Sequence, residues 1–301
     1  GRARAAHSDA RACELPRLHS FASVSARVIL HELCRQLTDV VGERRVSIGM
    51  ADRLAYARDM WPRTLLSLQG GVLPEHTPHV VVWPDSADEI VEIVRIARAH
   101  RVPIVPYGGG SGVCGGVVPL YGGITVDLKR LARIASIDDK NLSCEAETGI
   151  NGERLERALN QRGVTLGHFP SSIYCSTLGG WLAARSAGQM STRYGKIEDM
   201  VLSVSGVTGR AEKVVAGRYG RSECGPDWKQ LLVGSEGTLA ILTSARLRVW
   251  PLPEARFLRA FEFADVPSGL EAVRRVMQKG LFPSVVRLYD ELDMLIASRR
   301  D

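Results

Sequence analysis

Cysteine is scarce in this chain and scattered. Its six residues, Cys13, Cys34, Cys114, Cys144, Cys175 and Cys224, stand too far apart for a zinc or iron–sulfur ligand set, and they suit a reducing compartment better than a disulfide scaffold. No metal site is expected. Aromatic residues make up only 6% of the chain and no basic tract is interleaved with them. Lys and Arg exceed Asp and Glu by 39 to 33, a balance that favours small anionic ligands without indicating nucleic acid. A transmembrane segment is missing too: the longest uncharged stretch, residues 102–126, is long enough to cross a bilayer but carries eight glycines and three prolines. What is left is a 301-residue chain, 45% hydrophobic and 24% charged, with the composition of a globular protein long enough for two domains and expected in the cytoplasm. The first residues, with Arg2, Arg4, Arg11 and Arg17 among Ala, Ser and His, have something of a transit peptide, against which Asp9 and Glu14 count. The chain starts without Met and stops in what reads as a new helix, so it is expected to be a fragment lacking its C-terminal part.

The stretch P-Y-G-G-G-S-G-V-C-G-G contains a G-x-G-x-x-G match (Gly110, Gly112, Gly115) at the end of a β-α-β pattern. A β-branched run from His79 to Val82 is broken by Pro84. Ser86 and Glu89 then form a capping box ahead of a helix ending near His100, and a second strand is predicted from Val102 to Val105. A dinucleotide fingerprint needs a helix to open inside the glycine run. Here Pro119, Gly122 and Gly123 lead straight into another strand, Ile124 to Leu128, and Asp127 comes too early to be the ribose acid. No Lys follows Gly115, so a Walker loop fails as well. Two readings of the stretch remain: a flexible surface loop, or a glycine-rich turn whose N–H groups converge on a phosphate.

Residues 21–75 read as mostly helical. Further strands are predicted at Ser143 to Glu147, in a hairpin of Met200 to Thr208 with Glu212 to Ala216, and from the turn G-S-E-G-T-L-A-I-L-T onward to Val249. A helix is expected from Asn151 to Gly163, and another capped by Ser176 or Thr177. Beyond Pro251 and Pro253 the pattern restarts as strand (Phe257 to Phe263), helix (Ser268 to Gly280) and strand (Val285 to Tyr289).

Y-G-G-G-S-G, then S-T-L-G-G-W-L-A-A-R-S-A-G-Q-M-S-T-R-Y-G-K-I-E-D-M-V, then G-S-E-G-T-L-A-I-L, in this order and spacing, resemble the FAD-binding domain of the vanillyl-alcohol oxidase/PCMH flavoprotein superfamily. Within it, G-H-F-P-S-S, G-G-W and Y-G-K-I-E-D are most similar to the alkyldihydroxyacetonephosphate synthases and their bacterial FAD-linked relatives, from about residue 50 onward. The resemblance implies an α+β protein: a helical region over residues 1–75, a PCMH-type FAD-binding domain of two α+β subdomains over 76–252, and the beginning of an α+β substrate (cap) domain over 253–301.

The same resemblance implies site residues. Pro106, Tyr107, Gly108, Gly109, Gly110, Ser111 and Gly112 would wrap the FAD pyrophosphate through backbone amides. Ser171, Ser172, Ser176 and Thr177, with Ala184, Arg185, Ser186 and Ala187, match segments lining the ribityl chain and flavin ring. Glu236, Gly237, Thr238, Leu239, Ala240, Ile241 and Leu242 match a third flavin-contacting turn. Taken singly, Glu236 reads equally as a turn cap, Trp181 as a core aromatic, and Arg185 as a solvated helix residue. His168 reads as a structural hydrogen-bonding residue, and Cys114 and Cys175 as small packing residues near the flavin. Members with covalent flavin often carry His in the glycine loop, where this chain has Ser111, so non-covalent FAD is expected. Arg287 matches an arginine of the synthases' substrate domain, where its planar fork would bind an anionic group; a surface ion pair with Asp290 is the plain alternative. The implied activity is FAD-dependent oxidation of a 2-hydroxy acid or similar small anionic alcohol, with an unassigned electron acceptor. The alternatives are a synthase-like transferase working without net redox, or a non-catalytic flavin-binding module. A homodimer is compatible with each.

Overall fold

The structure, a computed structural model, describes residues 24–217 and 225–298. Cys13, Cys224 and the arginine-rich start lie outside the described residues. Helix α1 (Val24–Val41) is followed by a 3-10 turn (Glu43–Arg45), strand β1 (Val46–Ser47), and helices α2 (Met50–Ala55) and α3 (Pro62–Gln69). Next come β2 (Val80–Val82), α4 (Ala87–His100), β3 (Ile104–Tyr107), β4 (Ile124–Asp127), β5 (Ile134–Asp138) and β6 (Ser143–Glu147). The chain continues through α5 (Gly152–Asn160), β7 (Val164–Thr165), α6 (Leu178–Ala184), α7 (Ser191–Tyr194), α8 (Ile197–Met200), β8 (Val201–Thr208) and β9 (Lys213–Ala216). The last elements are α9 (Trp228–Leu232), β10 (Ala240–Arg248), β11 (Trp250–Pro251), α10 (Val266–Gln278) and α11 (Glu291–Ser298).

Among the described residues two larger sheets carry the molecule, and β7 pairs with β11 in a third of two strands. The first has the order β1-β2-β4-β3, with β4 parallel to both β2 and β3; the second is antiparallel, β5-β6-β10-β8-β9. Each has its own core. Leu33 and Leu37 of α1 and Ile90, Ile93 and Val94 of α4 bury against Val80, Val82, Ile124 and Val126. Leu155 and Leu159 of α5 and Trp181 and Leu182 of α6 bury against Cys144, Ala146, Leu242, Ala245 and Leu247. The α+β class holds, and the second sheet joins β5 and β6 to strands that follow α6.

Local chemistry explains the elements. Ser86 caps α4, its hydroxyl accepting from Glu89 N–H at 3.2 Å, but the return bond of the expected capping box goes one residue further back, from Asp85 N–H to the Glu89 carboxylate at 2.6 Å. Arg45 holds that carboxylate with two bonds of 2.9 Å, tying the N-terminal region to the first sheet. Thr177, not Ser176, caps α6. Strand β3 begins two residues later than the sequence pattern suggests, and β5 and β7 were not anticipated. Parallel strands usually need a helical crossover. Between β3 and β4 that crossover is the glycine loop, residues 108–123, without a helix.

The pattern beyond Pro253 is only partly realised. Helix α10 forms, capped by Asp265, and Leu288 packs against it at Gly269. The runs 257–263 and 285–289 are not strands, since neither has a hydrogen-bonded partner among the described residues. Phe257 and Leu258 are consecutive and 86% and 91% exposed, so the first run has no buried face.

Candidate cofactor site

The structure brings the three sequence segments together around the glycine loop. A Cβ on Gly108 would lie 2.5 Å from Thr177 Oγ1, and one on Gly109 would overlap the Cys175 carbonyl oxygen and stand 3.1 Å from Ser176 Cα. The first segment therefore lies flat on the second. Gly237, at φ 80°, has space only for hydrogen because Pro106 Cγ is 2.9 Å from where a Cβ would sit. Glu236, itself at φ 47°, donates its N–H to Ala183 O at 3.2 Å, and Gly234 N–H donates to Leu182 O at 2.8 Å. The third segment thus meets the first at Pro106 and the second at the end of α6.

The donors that the loop offers are mainly backbone amides. Among the described residues, the backbone N–H groups of Gly109, Gly110, Ser111 and Gly112 have no acceptor, and the Ser111 hydroxyl makes no hydrogen bond. Gly110 has φ 61°, and a Cβ there would run into the Tyr107 ring. Such a row of free amides at a surface suits an anion. Both ends of the loop are anchored. At the near end Lys129 Nζ donates to Gly108 O at 3.2 Å, pairs with the buried Asp127 carboxylate at 2.7 Å, and lies 5.0 and 5.1 Å from the Tyr107 and Tyr56 ring centres. Asp127 also accepts from the Tyr56 hydroxyl and from Lys129 N–H. Burial and the Asp127 carboxylate push the Tyr56 phenol well above its usual pKa, so it stays a donor. At the far end the loop is tied to residues 58–61. Neither anchor was read from the sequence. In the sequence Asp127 offers itself only as a ribose acid that comes too early, and the one signal at Asp59 is an acid two residues before Trp61, whose N–H it accepts in an Asx turn.

The other expected residues divide by environment. Ser176 accepts from the Trp181 indole at 2.8 Å and donates to Ser172 O at 2.7 Å. Ser171, Ala184, Arg185 and Ala187 are exposed. Arg185, in a left-handed conformation at the end of α6, is no freely solvated residue: its guanidinium donates to Val233 O at 3.1 Å and to the Gln230 carbonyl. Ser186 Oγ lies 3.3 Å from Nε2 of His168, whose buried ring meets Trp181 edge-on at 4.7 Å. Burial lowers the His168 pKa to about 4 against a weaker opposing pull from Glu198, so the imidazole is neutral near pH 7. Thr238 and Leu239 are exposed, whereas Ala240, Ile241 and Leu242 bury their side chains in the cores and leave only backbone to a ligand. Arg287 is exposed on an irregular segment; its Nη1 donates to the Tyr289 hydroxyl at 3.2 Å, and no ion pair with Asp290 forms.

Among the described residues no cluster of His, Cys, Asp and Glu could hold a metal, and no helix is long and apolar enough to cross a membrane. Residues 78–217 match the family described as FAD binding domain. The chain is 37% identical over 230 residues to the alkyldihydroxyacetonephosphate synthase of Caenorhabditis elegans, covering 75% of this chain and 38% of that protein. It is 29% identical over 270 residues to glycolate oxidase subunit GlcD of Bacillus subtilis (strain 168), covering 89% and 55%. A solved structure of alkyldihydroxyacetonephosphate synthase superposes with a TM-score of 0.79 at 30% identity, over 89% of this chain and 53% of that one. The chain thus spans about half the length, or less, of the curated relatives it matches.

The matched region, with its helix-free glycine loop between β3 and β4, is an FAD binding domain. In sequence and fold the chain as a whole is similar to flavoproteins of the PCMH-type, vanillyl-alcohol oxidase superfamily.

Proposed function

We propose that the chain is the FAD-binding part of a flavoenzyme of the FAD-linked oxidase family, acting on a 2-hydroxy acid or similar small anionic alcohol and holding its FAD non-covalently. The observation that carries the reading is the convergence of three separate segments on a loop whose amides at 109–112 are free of acceptors. In this reading those amides bind the pyrophosphate, and Ser171 to Thr177 and Ala184 to Ala187 border the ribityl chain and flavin ring. The backbone of the Glu236 turn closes the third side. When bound, FAD would supply the two-electron acceptor. The chain's own part is to orient it and to offer Arg287 to an anionic substrate group. Ser111 in place of a loop His supports non-covalent attachment, and the free thiols of Cys34, Cys114, Cys144 and Cys175 support a cytoplasmic setting.

A synthase-like transferase is the second reading, favoured by the higher identity to the alkyldihydroxyacetonephosphate synthase of Caenorhabditis elegans than to the glycolate oxidase subunit. Anaerobic addition of D-lactate, glycolate and related acids to the full-length flavoprotein separates them. Bleaching of the flavin absorbance supports oxidation, and no bleaching with any acid or alcohol supports the transferase.

A further inference from the structure

The far anchor of the glycine loop lies outside the matched domain. That match begins at residue 78, yet the turn between α2 and α3 makes several bonds to the loop. Met60 N–H donates to Gly112 O at 2.8 Å, Gly115 N–H donates to Asp59 Oδ2 at 2.8 Å, and the Tyr107 hydroxyl donates to Arg58 O at 3.2 Å. Trp61 closes the contact, its ring 3.3 Å from where a Cβ on Gly115 would stand. Asp59 is 2% exposed, and its other oxygen accepts from Trp61 N–H at 2.9 Å, so both oxygens are committed to backbone donors. The carboxylate is held rigidly between its own turn and the loop.

We propose that Asp59 is a positioning residue for the cofactor: it fixes the far end of the glycine loop so that the amides of residues 109–112 face one point, which makes the segment 58–61 part of the FAD site although it precedes the matched domain. The proposal rests on the FAD reading. Its physical basis is preorganisation. With Gly108 O held by Lys129 and Gly112 O and Gly115 N–H held by residues 58–61, the stretch between needs little ordering when an anion arrives. Without Asp59 that ordering falls on the binding step.

Asn is the informative replacement. It matches Asp in size but has one acceptor oxygen, so it meets either Trp61 N–H or Gly115 N–H with a donor. The dissociation constant for FAD, measured on the chain stripped of flavin, is expected to rise on the order of tenfold in Asp59→Asn while the flavin-free protein stays folded and melts only somewhat below the parent. Parent-like FAD affinity in Asp59→Asn overturns the proposal alone. A parent that takes up no FAD overturns the cofactor reading and the proposal with it. Should Asp59→Asn melt at a much lower temperature, hydrogen exchange in the parent decides instead. Slower exchange on FAD binding in both the 58–61 and 109–115 peptides supports the coupling, and slowing confined to 109–115 overturns it.

Discussion

Gly109 carries the most direct structural test of how the loop works. Its replacement by Ala adds one carbon that would overlap the Cys175 carbonyl oxygen and stand 3.1 and 3.2 Å from Ser176 Cα and Cys175 C, all backbone atoms with no rotamer to change. The reason for glycine here is close approach; unlike Gly110, Gly109 has no positive φ. To admit the methyl group, the loop must lift from the segment 175–177. Overpacking of this kind costs about 1–3 kcal/mol. The two segments are separate walls of the proposed site, so much of that cost is expected in ligand binding, which corresponds to a loss of FAD affinity of about 5-fold to 150-fold. Val at the same place should abolish retention of FAD. Ser111→Ala is the matched control: its hydroxyl has no partner among the described residues, so FAD affinity should stay within about twofold. The assay is an equilibrium titration of flavin-free protein with FAD, followed by quenching of flavin fluorescence, beside thermal melts of the same samples. Gly109→Ala with parent-like affinity and parent-like melting would refute the argument that the two segments must touch.

Acid precipitation of the yellow full-length protein should leave the flavin in the supernatant, and flavin that stays with the pellet would contradict the inference from Ser111. Arg287→Lys keeps charge but loses the planar fork, so kcat/KM should fall with FAD content unchanged; parent-like values for both Arg287→Lys and Arg287→Ala would remove Arg287 from the site, as exposed pairs contribute only about 0–1 kcal/mol. Burial lowers the pKa of His168 from 6.5 to about 4, so between these values the unfolded chain binds more protons and stability falls as the pH drops through that window. The contribution is on the order of 3 kcal/mol, and denaturant melts of His168→Gln should lose that part of the pH dependence; a slope equal to the parent's would contradict it. His79, also lowered to about 4 by burial, contributes equally to parent and variant and drops out of the comparison.

Much of the fold could be read where a local signal coincided with a local structure. The Ser86 cap, the β8–β9 hairpin, Thr177 before α6 and the helix-free exit from the glycine run all act within a few residues of themselves. What escaped was set by distant partners. Strand β5 has an ordinary sequence and exists because β6 offers it an edge, whereas the apolar runs 257–263 and 285–289 have strand composition and no neighbour to pair with. The site divides the same way. Its three glycine-bearing segments were legible because close backbone approach demands glycine at Gly109 and Gly237. The carboxylates behind them were not, because an aspartate that accepts one backbone N–H from a loop 56 residues away looks like any surface acid until the chain has folded.

The central claim is that these three segments form an FAD site. The flavin content of the purified full-length protein tests it most directly, from its visible spectrum and from chromatography of the released cofactor. A yellow protein that yields FAD is expected, with one flavin per chain as the limit on reconstitution. A folded protein that purifies colourless and takes up no FAD on incubation would contradict it.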